Sequence, residues 1–328
     1  MRIVCDQHIP FLVEAVRQEW PEVEICPMKP EEIDASSVRD ADVLVVRTRT
    51  RVDAALLTGS RVQLVCTATI GFDHLDTAWL NAQGIRWTAC PGCNAQAVCD
   101  YIEEVLCETM DNGQWTMDNS PLTIGVVGVG HVGSLVARMA ERRGLHVLLN
   151  DPPRGIGKSL DEIAETCDII TFHVPLTKSR QPSAISDQAY PTYHLCNEAF
   201  LSKTKPHALI INAARGGVVD EEALLRSGRP FVLDTWEGEP QLNPSVLAAA
   251  QRASMHIAGY SLEGKLNATR ICLDEIEETF HLSPSTFNIQ HSTFTRGDSA
   301  PGWLERITKQ LQANPQLFEC LRKQYVLR

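Results

Sequence analysis

The 328-residue chain is poor in aromatic side chains, at 6%, and has no apolar stretch of the length that spans a bilayer, roughly 18–20 residues. The first shortage means cores built from aliphatic side chains. The second sets a membrane-spanning helix aside, and the opening residues, interrupted by Asp6 and His8, lack the apolar centre of a secretory signal. Basic residues are in deficit as well: 30 Lys and Arg face 41 Asp and Glu, a formal charge of −11. No long basic run offsets this, which argues against general binding of nucleic acid or anionic membrane. Internal repeats and low-complexity tracts are also missing, so solenoid and fibrous classes fall away. With 44% hydrophobic residues, the chain reads as globular, cytoplasmic and long enough for two domains.

Cysteine is not scarce, at 11, but it is scattered from Cys5 to Cys320, mostly inside apolar stretches, as small reduced core residues are. Cys90-Pro-Gly-Cys93 has the spacing of a redox pair or half a zinc site. A zinc site needs about four ligands, and no second Cys pair supplies them, so this segment is read as a turn.

Short apolar runs alternate with amphipathic stretches along most of the chain. Strands are expected at Ile3–Cys5, Val43–Val46, Gln63–Thr67, Thr123–Val127, His146–Leu149, Ile169–Phe172, Ala208–Asn212 and Phe231–Leu233. Helical patterns at His74–Gln83, Val132–Arg143 and Glu221–Ser227 lie between them. Such alternation implies parallel sheets covered by helices on both faces. It starts twice, at residue 2 and again at Leu122 after the polar segment Asp111–Pro121. Long helical patterns at about Asn94–Asn112, with Asn94 as N-cap, and Ser261–Phe280 flank the second set. This organisation predicts one domain inserted in another, with boundaries at 1–93 and 260–281 for the outer domain and 94–259 for the inner. Residues 282–328, more polar and richer in proline, are expected to form a small appended element.

Within the second set, Gly128-x-Gly130-x-x-Gly133 closes an apolar strand and opens a helical pattern. In that context the first glycine permits a tight turn, the second lets backbone approach a pyrophosphate, and the third lets helix pack on strand. The helix N-terminus offers free N–H groups to phosphate. Asp151 ends the next strand, at the spacing of a ribose-binding acid, which favours NAD over NADP; Arg154 nearby works against that preference.

A nicotinamide cofactor calls for a general acid/base and a cationic anchor on the substrate side. Arg215, Glu239 and His256 each follow a successive strand, so they should converge where open α/β sheets bind ligands. A guanidinium holds a carboxylate by paired bonds. Glu239 would orient His256 and favour its imidazolium, and His256 would take the hydroxyl proton as hydride leaves. Taken singly, an Arg after a strand is often a surface residue and a lone His a structural one. His173, which also ends a strand, is the rival imidazole; His74 reads as a helix-start residue.

These segments together resemble the D-2-hydroxyacid dehydrogenases over roughly residues 1–280. The resemblance rests on the glycine motif with Asp151, Phe172-His-Val-Pro-Leu, Asn212-Ala-Ala-Arg-Gly-Gly, Trp236-Glu-Gly-Glu-Pro and His256-Ile-Ala-Gly. It implies catalytic roles for Arg215, Glu239 and His256. It implies NAD contacts at Gly128, Gly130, Val132, Gly133, Asp151, Ala213, Ala214, Arg215, Asp234 and Gly259. The implied fold is α/β, two doubly wound parallel-sheet domains: a Rossmann-type nucleotide domain inserted in a flavodoxin-like substrate domain.

Further segments are similar to family members that oxidise 4-phosphoerythronate at C2 with NAD, in pyridoxal phosphate (vitamin B6) synthesis. They are Val46-Arg-Thr, Cys66-Thr-Ala-Thr-Ile-Gly-Phe-Asp-His, Pro91-Gly-Cys-Asn-Ala, Asp151-Pro-Pro-Arg, the continuation of His256 through Tyr-Ser-Leu-Glu-Gly-Lys, and the terminal Leu321-Arg-Lys-Gln-Tyr. That likeness places substrate contacts at Thr48, Thr69 and Tyr260. It also implies a homodimer, although the 282–328 segment is short for the family's dimerisation domain. Arg47, Arg49 and Arg51 are candidates for the substrate phosphate and would share a face if their strand continued. Arg322 and Lys323 are cations that a dimer partner would offer. The alternatives are a dehydrogenase of another 2-hydroxy acid (phosphoglycerate, glycerate, lactate) and an NAD-sensing interaction protein of corepressor type. No metal is expected.

Overall fold

A computed structural model describes residues 1–110, 121–177, 190–285 and 302–325. Most of the polar segment expected at 111–121, and the stretch 286–301, lie outside these. The described chain forms two compact units, one from Met1–Asn94 with the segment from Ser261 onward, the other from Ala95–Tyr260 with the C-terminal helices.

The first unit holds five parallel strands: β1 (Arg2–Asp6), β2 (Glu24–Met28), β3 (Val43–Val46), β4 (Leu64–Thr67) and β5 (Arg86–Thr88). Their order is β2-β1-β3-β4-β5, the flavodoxin-like arrangement. Alternate residues of these strands serve two cores. Ile3, Cys5, Val43, Val45, Leu64 and Cys66 pack with Leu12, Val16, Leu273 and Ile276, from helices Leu12–Glu19 and Leu262–Phe280. Val4, Leu44, Val46 and Val65 pack with Leu56, Leu57 and Leu80 on the other face. Burial on both faces explains why the central strands read as unbroken apolar runs. Ser261 caps the helix Leu262–Phe280, its Oγ accepting the Gly264 N–H at 2.9 Å.

Asn94 departs from expectation. Its Oδ1 is buried with no hydrogen-bond partner among the described residues, so it does not cap the following helix. Close packing accounts for this: a Cβ on Gly264 would lie 2.9 Å from Asn94 Cβ, so the helix backbone already presses on that residue.

The second unit holds a seven-stranded sheet, in the order β12-β11-β10-β9-β6-β7-β8. The strands are β6 (Thr123–Val127), β7 (His146–Asp151), β8 (Ile156–Gly157), β9 (Ile169–Phe172), β10 (Leu209–Asn212), β11 (Phe231–Leu233) and β12 (Arg252–Ala253). All pairings are parallel except β7 with β8. Counted within the unit this is the Rossmann order, and the strand order reverses between β6 and β9.

The described residues of 302–325 do not form a separate third body. Helix Trp303–Ala313 buries Trp303, Leu304, Ile307 and Leu311 in the core of the second unit, and Phe318 joins them. Thr308 Oγ1 accepts the Ala253 N–H at 2.9 Å, so this helix covers edge strand β12. Its apolar face fits this sheet, which is why the segment folds against it.

Candidate active site

The glycine turn after β6 is shaped by what surrounds it. Gly128 has φ +91°, and a Cβ there would sit 2.7 Å from the His173 carbonyl oxygen. A Cβ on Gly133 would collide with the Gly128 carbonyl oxygen. At Gly130, the N-cap of helix His131–Arg142, no atom of the described residues beyond its chain neighbours lies within 4 Å of where a Cβ would be. Two glycines are thus demanded by packing, and the third faces open space at a helix N-terminus, where a dinucleotide's pyrophosphate fits.

Asp151 stands at the end of β7, and its Oδ2 accepts the Val129 N–H at 2.8 Å. Arg154 donates from Nη1 to the Val129 carbonyl at 3.1 Å, and its Nε lies 3.8 Å from Asp151. Acid and base therefore clamp the same residue of the turn. Val132 packs half-buried on the core. Ala214 N–H donates to Asn212 Oδ1 at 3.1 Å, and Arg215 Nη1 to the Ala214 carbonyl at 2.8 Å, which shapes the Ala213–Arg215 turn after β10.

Arg215, Glu239 and His256 follow β10, β11 and β12, which are neighbours in the sheet. His256 Nδ1 and Glu239 Oε1 are 2.6 Å apart. Glu239 Oε2 accepts the Trp236 N–H at 3.3 Å. Burial pushes the Glu239 carboxyl up, but the His256 hydrogen bond and charge, the Trp236 N–H and the Arg322 charge outweigh it and hold the group below the usual carboxylate range. A Cβ on Gly216 would collide with the Trp236 carbonyl, so the Arg215 turn lies directly against the loop that carries Glu239.

His256 itself has φ +58°, a backbone state L residues rarely adopt. Asp234 holds it there. The Asp234 carbonyl accepts the His256 N–H at 2.7 Å, Oδ1 the Ile257 N–H at 2.8 Å, and Oδ2 the Ala258 N–H at 2.9 Å. Ser254 Oγ donates to Oδ1 at 2.6 Å. With that hydrogen spent, Tyr101, 2.8 Å away, must be the donor to Ser254. Gly259 and Tyr260 follow directly.

His173, the rival, pairs with no carboxylate among the described residues; its Nε2 lies 3.0 Å from Thr171 Oγ1. Burial pushes its pKa down to about 3, so it stays neutral. His74 Nε2 lies 3.0 Å from Thr67 Oγ1 in the first unit.

The remaining candidates belong to the first unit. Strand β3 stops at Val46 and residues 47–50 turn, the Thr50 N–H bonding the Arg47 carbonyl at 3.2 Å, so Arg47, Arg49 and Arg51 do not share a strand face. Arg47 Nε pairs with buried Asp6 at 2.8 Å, and Arg51 with Asp53 at 2.9 Å. Thr48 and Arg49 are exposed. Thr69 Oγ1 donates to the Gly71 carbonyl at 2.9 Å and lies 2.7 Å from Thr67 Oγ1. Sequence reasoning missed Lys265, half-buried, whose ammonium is pushed down by burial and by the Arg47 charge. Two mutually repelling cations were the available signal, but they lie far apart in sequence.

Residues 103–258 match the family described as D-isomer specific 2-hydroxyacid dehydrogenase, NAD binding domain. An erythronate-4-phosphate dehydrogenase of Bacteroides fragilis (strain YCH46) is 40% identical, covering 100% of this chain and 97% of that protein. The chain belongs to the D-2-hydroxyacid dehydrogenase family. A second erythronate-4-phosphate dehydrogenase, from Salmonella arizonae, is 41% identical over 82% of this chain and 71% of its own length. Among solved structures, an NAD+-bound 3-phosphoglycerate dehydrogenase of Entamoeba histolytica aligns with TM-score 0.69 at 22% identity, covering 90% of this chain and 99% of that one. A D-lactate dehydrogenase of Aquifex aeolicus aligns with TM-score 0.64 at 23% identity, covering 85% and 95%. At these identities the structures establish the fold, two-domain and Rossmann-type. Family members are NAD-dependent oxidoreductases, and the second unit is the NAD-binding domain.

Proposed function

We propose that this enzyme oxidises 4-phospho-D-erythronate at C2 to 2-oxo-3-hydroxy-4-phosphobutanoate with NAD, a step of pyridoxal phosphate synthesis. The observation that carries the reading is the 2.6 Å His256–Glu239 couple, on the NAD-binding unit of a chain 40% identical to an erythronate-4-phosphate dehydrogenase over its whole length.

NAD, when bound, supplies the hydride acceptor. Gly128, Gly130, Val132 and Gly133 line its pyrophosphate turn, Asp151 its ribose, and Ala213, Ala214, Arg215, Asp234 and Gly259 the sheet edge beside it. The Glu239 carboxylate fixes Nδ1–H of His256, which leaves Nε2 lone-paired toward the C2 hydroxyl. His256 takes that proton as the C2–H bond gives up its hydride, and Glu239 stabilises the imidazolium that forms. Arg215 holds the C1 carboxylate and polarises the forming carbonyl. Thr48, Thr69, Arg47, Arg49 and Tyr260 are proposed as further substrate contacts. The enzyme is proposed to be a cytoplasmic homodimer; its described cysteines are all unpaired, as reducing conditions keep them.

The test follows NADH formation with 4-phosphoerythronate, 3-phosphoglycerate, glycerate and lactate. The phosphorylated four-carbon acid should dominate kcat/KM; equal turnover of lactate with none of that acid overturns the reading. His256→Asn should lose ~10²–10⁴-fold in kcat with NAD still bound, the usual worth of a general base.

A further inference from the structure

The C-terminal helix Phe318–Gln324 brings a second cation to the catalytic couple. The Arg322 guanidinium carbon stands 5.6 Å from the centre of the Tyr260 ring, in the same unit and the same chain. Its charge and that of Glu239 act on each other. Burial works against the guanidinium's charge, and Tyr260, Glu319 and Glu239 outweigh it.

Arg322 is incompletely satisfied. Its Nη1 reaches Glu319 Oε1 at 3.4 Å, a long contact, while its Nε is buried with no hydrogen-bond partner among the described residues. Native proteins seldom leave such a donor unmet, and a group held this way invites an acceptor that is not part of the chain. Three other arginines of this unit are committed elsewhere: Arg143 to Glu103, Arg229 to Thr204, and Arg252 to Glu108. Arg215, at the sheet edge, is assigned to the C1 carboxylate.

A planar guanidinium bonded to Tyr260 and lying over its ring, with Nε unmet among the described residues, matches a tetrahedral oxyanion through N–H bonds. Building on the substrate proposed above, whose phosphate sits two carbons beyond the reacting C2, we propose that Arg322 is the specificity residue that receives this phosphate, with Tyr260 holding the guanidinium in place. The chain's own terminal helix supplies it, rather than a dimer partner. The arrangement also explains why a 2-hydroxy acid lacking the distal phosphate would be held less well.

The experiment compares 4-phosphoerythronate with erythronate, the same acid without phosphate, using full-length enzyme and saturating NAD. Arg322→Ala and the better space-filling Arg322→Gln should raise KM for the phosphorylated acid by roughly 30–100-fold, the worth of a charged hydrogen-bonded pair. The loss should fall at least tenfold more heavily on that acid than on erythronate, and Arg322→Lys should recover part of it. Inorganic phosphate should inhibit the wild-type enzyme competitively and lose that effect in Arg322→Gln. Equal losses on both acids, or an unchanged KM, overturn the role of Arg322 alone. Failure of the wild-type enzyme to oxidise 4-phosphoerythronate overturns the substrate reading and this inference with it.

Discussion

Glu221 illustrates how much of the site's chemistry sits one layer behind the reacting groups. It opens helix Glu221–Ser227, is 4% exposed, and accepts the backbone N–H of Glu237. Burial, followed by the charges of Glu237 and Glu239, raises its pKa from 4.5 to about 7 despite that hydrogen bond. The folded protein therefore keeps a proton that the unfolded chain releases. Stability should fall as pH rises from about 4.5 to about 7, by up to about 3 kcal/mol. Glu221→Gln retains an acceptor for Glu237 and removes the ionisation. Thermal unfolding between pH 5 and 8 should show a flatter profile for this variant, and an unchanged slope would contradict the assignment. None of this was legible in the sequence, where Glu221 is an ordinary acid in a first helical turn. Arg215 and Glu239 stood out as candidates because each follows a strand whose apolar run is plain; His256 follows the two-residue β12, which no apolar run announced, and stood out through its Ile-Ala-Gly context instead. Arg322 was read only as a cation that a dimer partner would offer, because Tyr260 and Glu239, which surround it, lie far upstream.

At the scale of elements, the segment 254–258 is held by one carboxylate. Asp234 accepts two backbone N–H groups and the Ser254 hydroxyl, all at 2.9 Å or less, while its residue neighbour His256 occupies a left-handed conformation. Asp234→Asn turns one acceptor into a donor facing a donor. The expected cost is about 2–3 kcal/mol in unfolding free energy, with kcat reduced at least tenfold as His256 loses its setting. Denaturant titration and steady-state kinetics check the two effects, and a stable variant with normal kcat would show that the loop is self-supporting. The same scale divides legible strands from illegible ones. The eight runs read from sequence are all strands; in all but the half-exposed β7 both faces are buried and alternation disappears. β2, β5, β8 and β12 escaped. β2 contains Pro27 and exposed positions, β5 is a half-exposed outer strand, and β8 and β12 have two residues each. Edges carry weak patterns because only part of each is shielded from water.

For the molecule as a whole, the C-terminal helices count as core. Trp303 is 2% exposed and meets Tyr101 edge-on at 6.2 Å, the same Tyr101 that donates to Ser254 behind Asp234. Trp303→Ala should destabilise by about 3–5 kcal/mol through lost burial and a cavity. Denaturant unfolding of the variant would show it, and a change below about 1 kcal/mol would mean that the helix is an ornament. The sequence suggested an appendage here because the segment's polar composition hides a single apolar face, and only the sheet it covers reveals its use.

The first unit's sheet meets its covering helix late. Ala268, Cys272, Leu273 and Ile276 complete a cluster begun by Ile3 and Cys5, yet the ribosome must make the whole Ala95–Tyr260 stretch before that helix emerges. At the usual ~5–20 residues per second, the nascent amino-terminal strands wait some ten to thirty seconds with one greasy face covered only by helix Leu12–Glu19. Chaperone demand during translation is thus written into the chain's threading, and a circular permutant starting at residue 261 would shorten that wait.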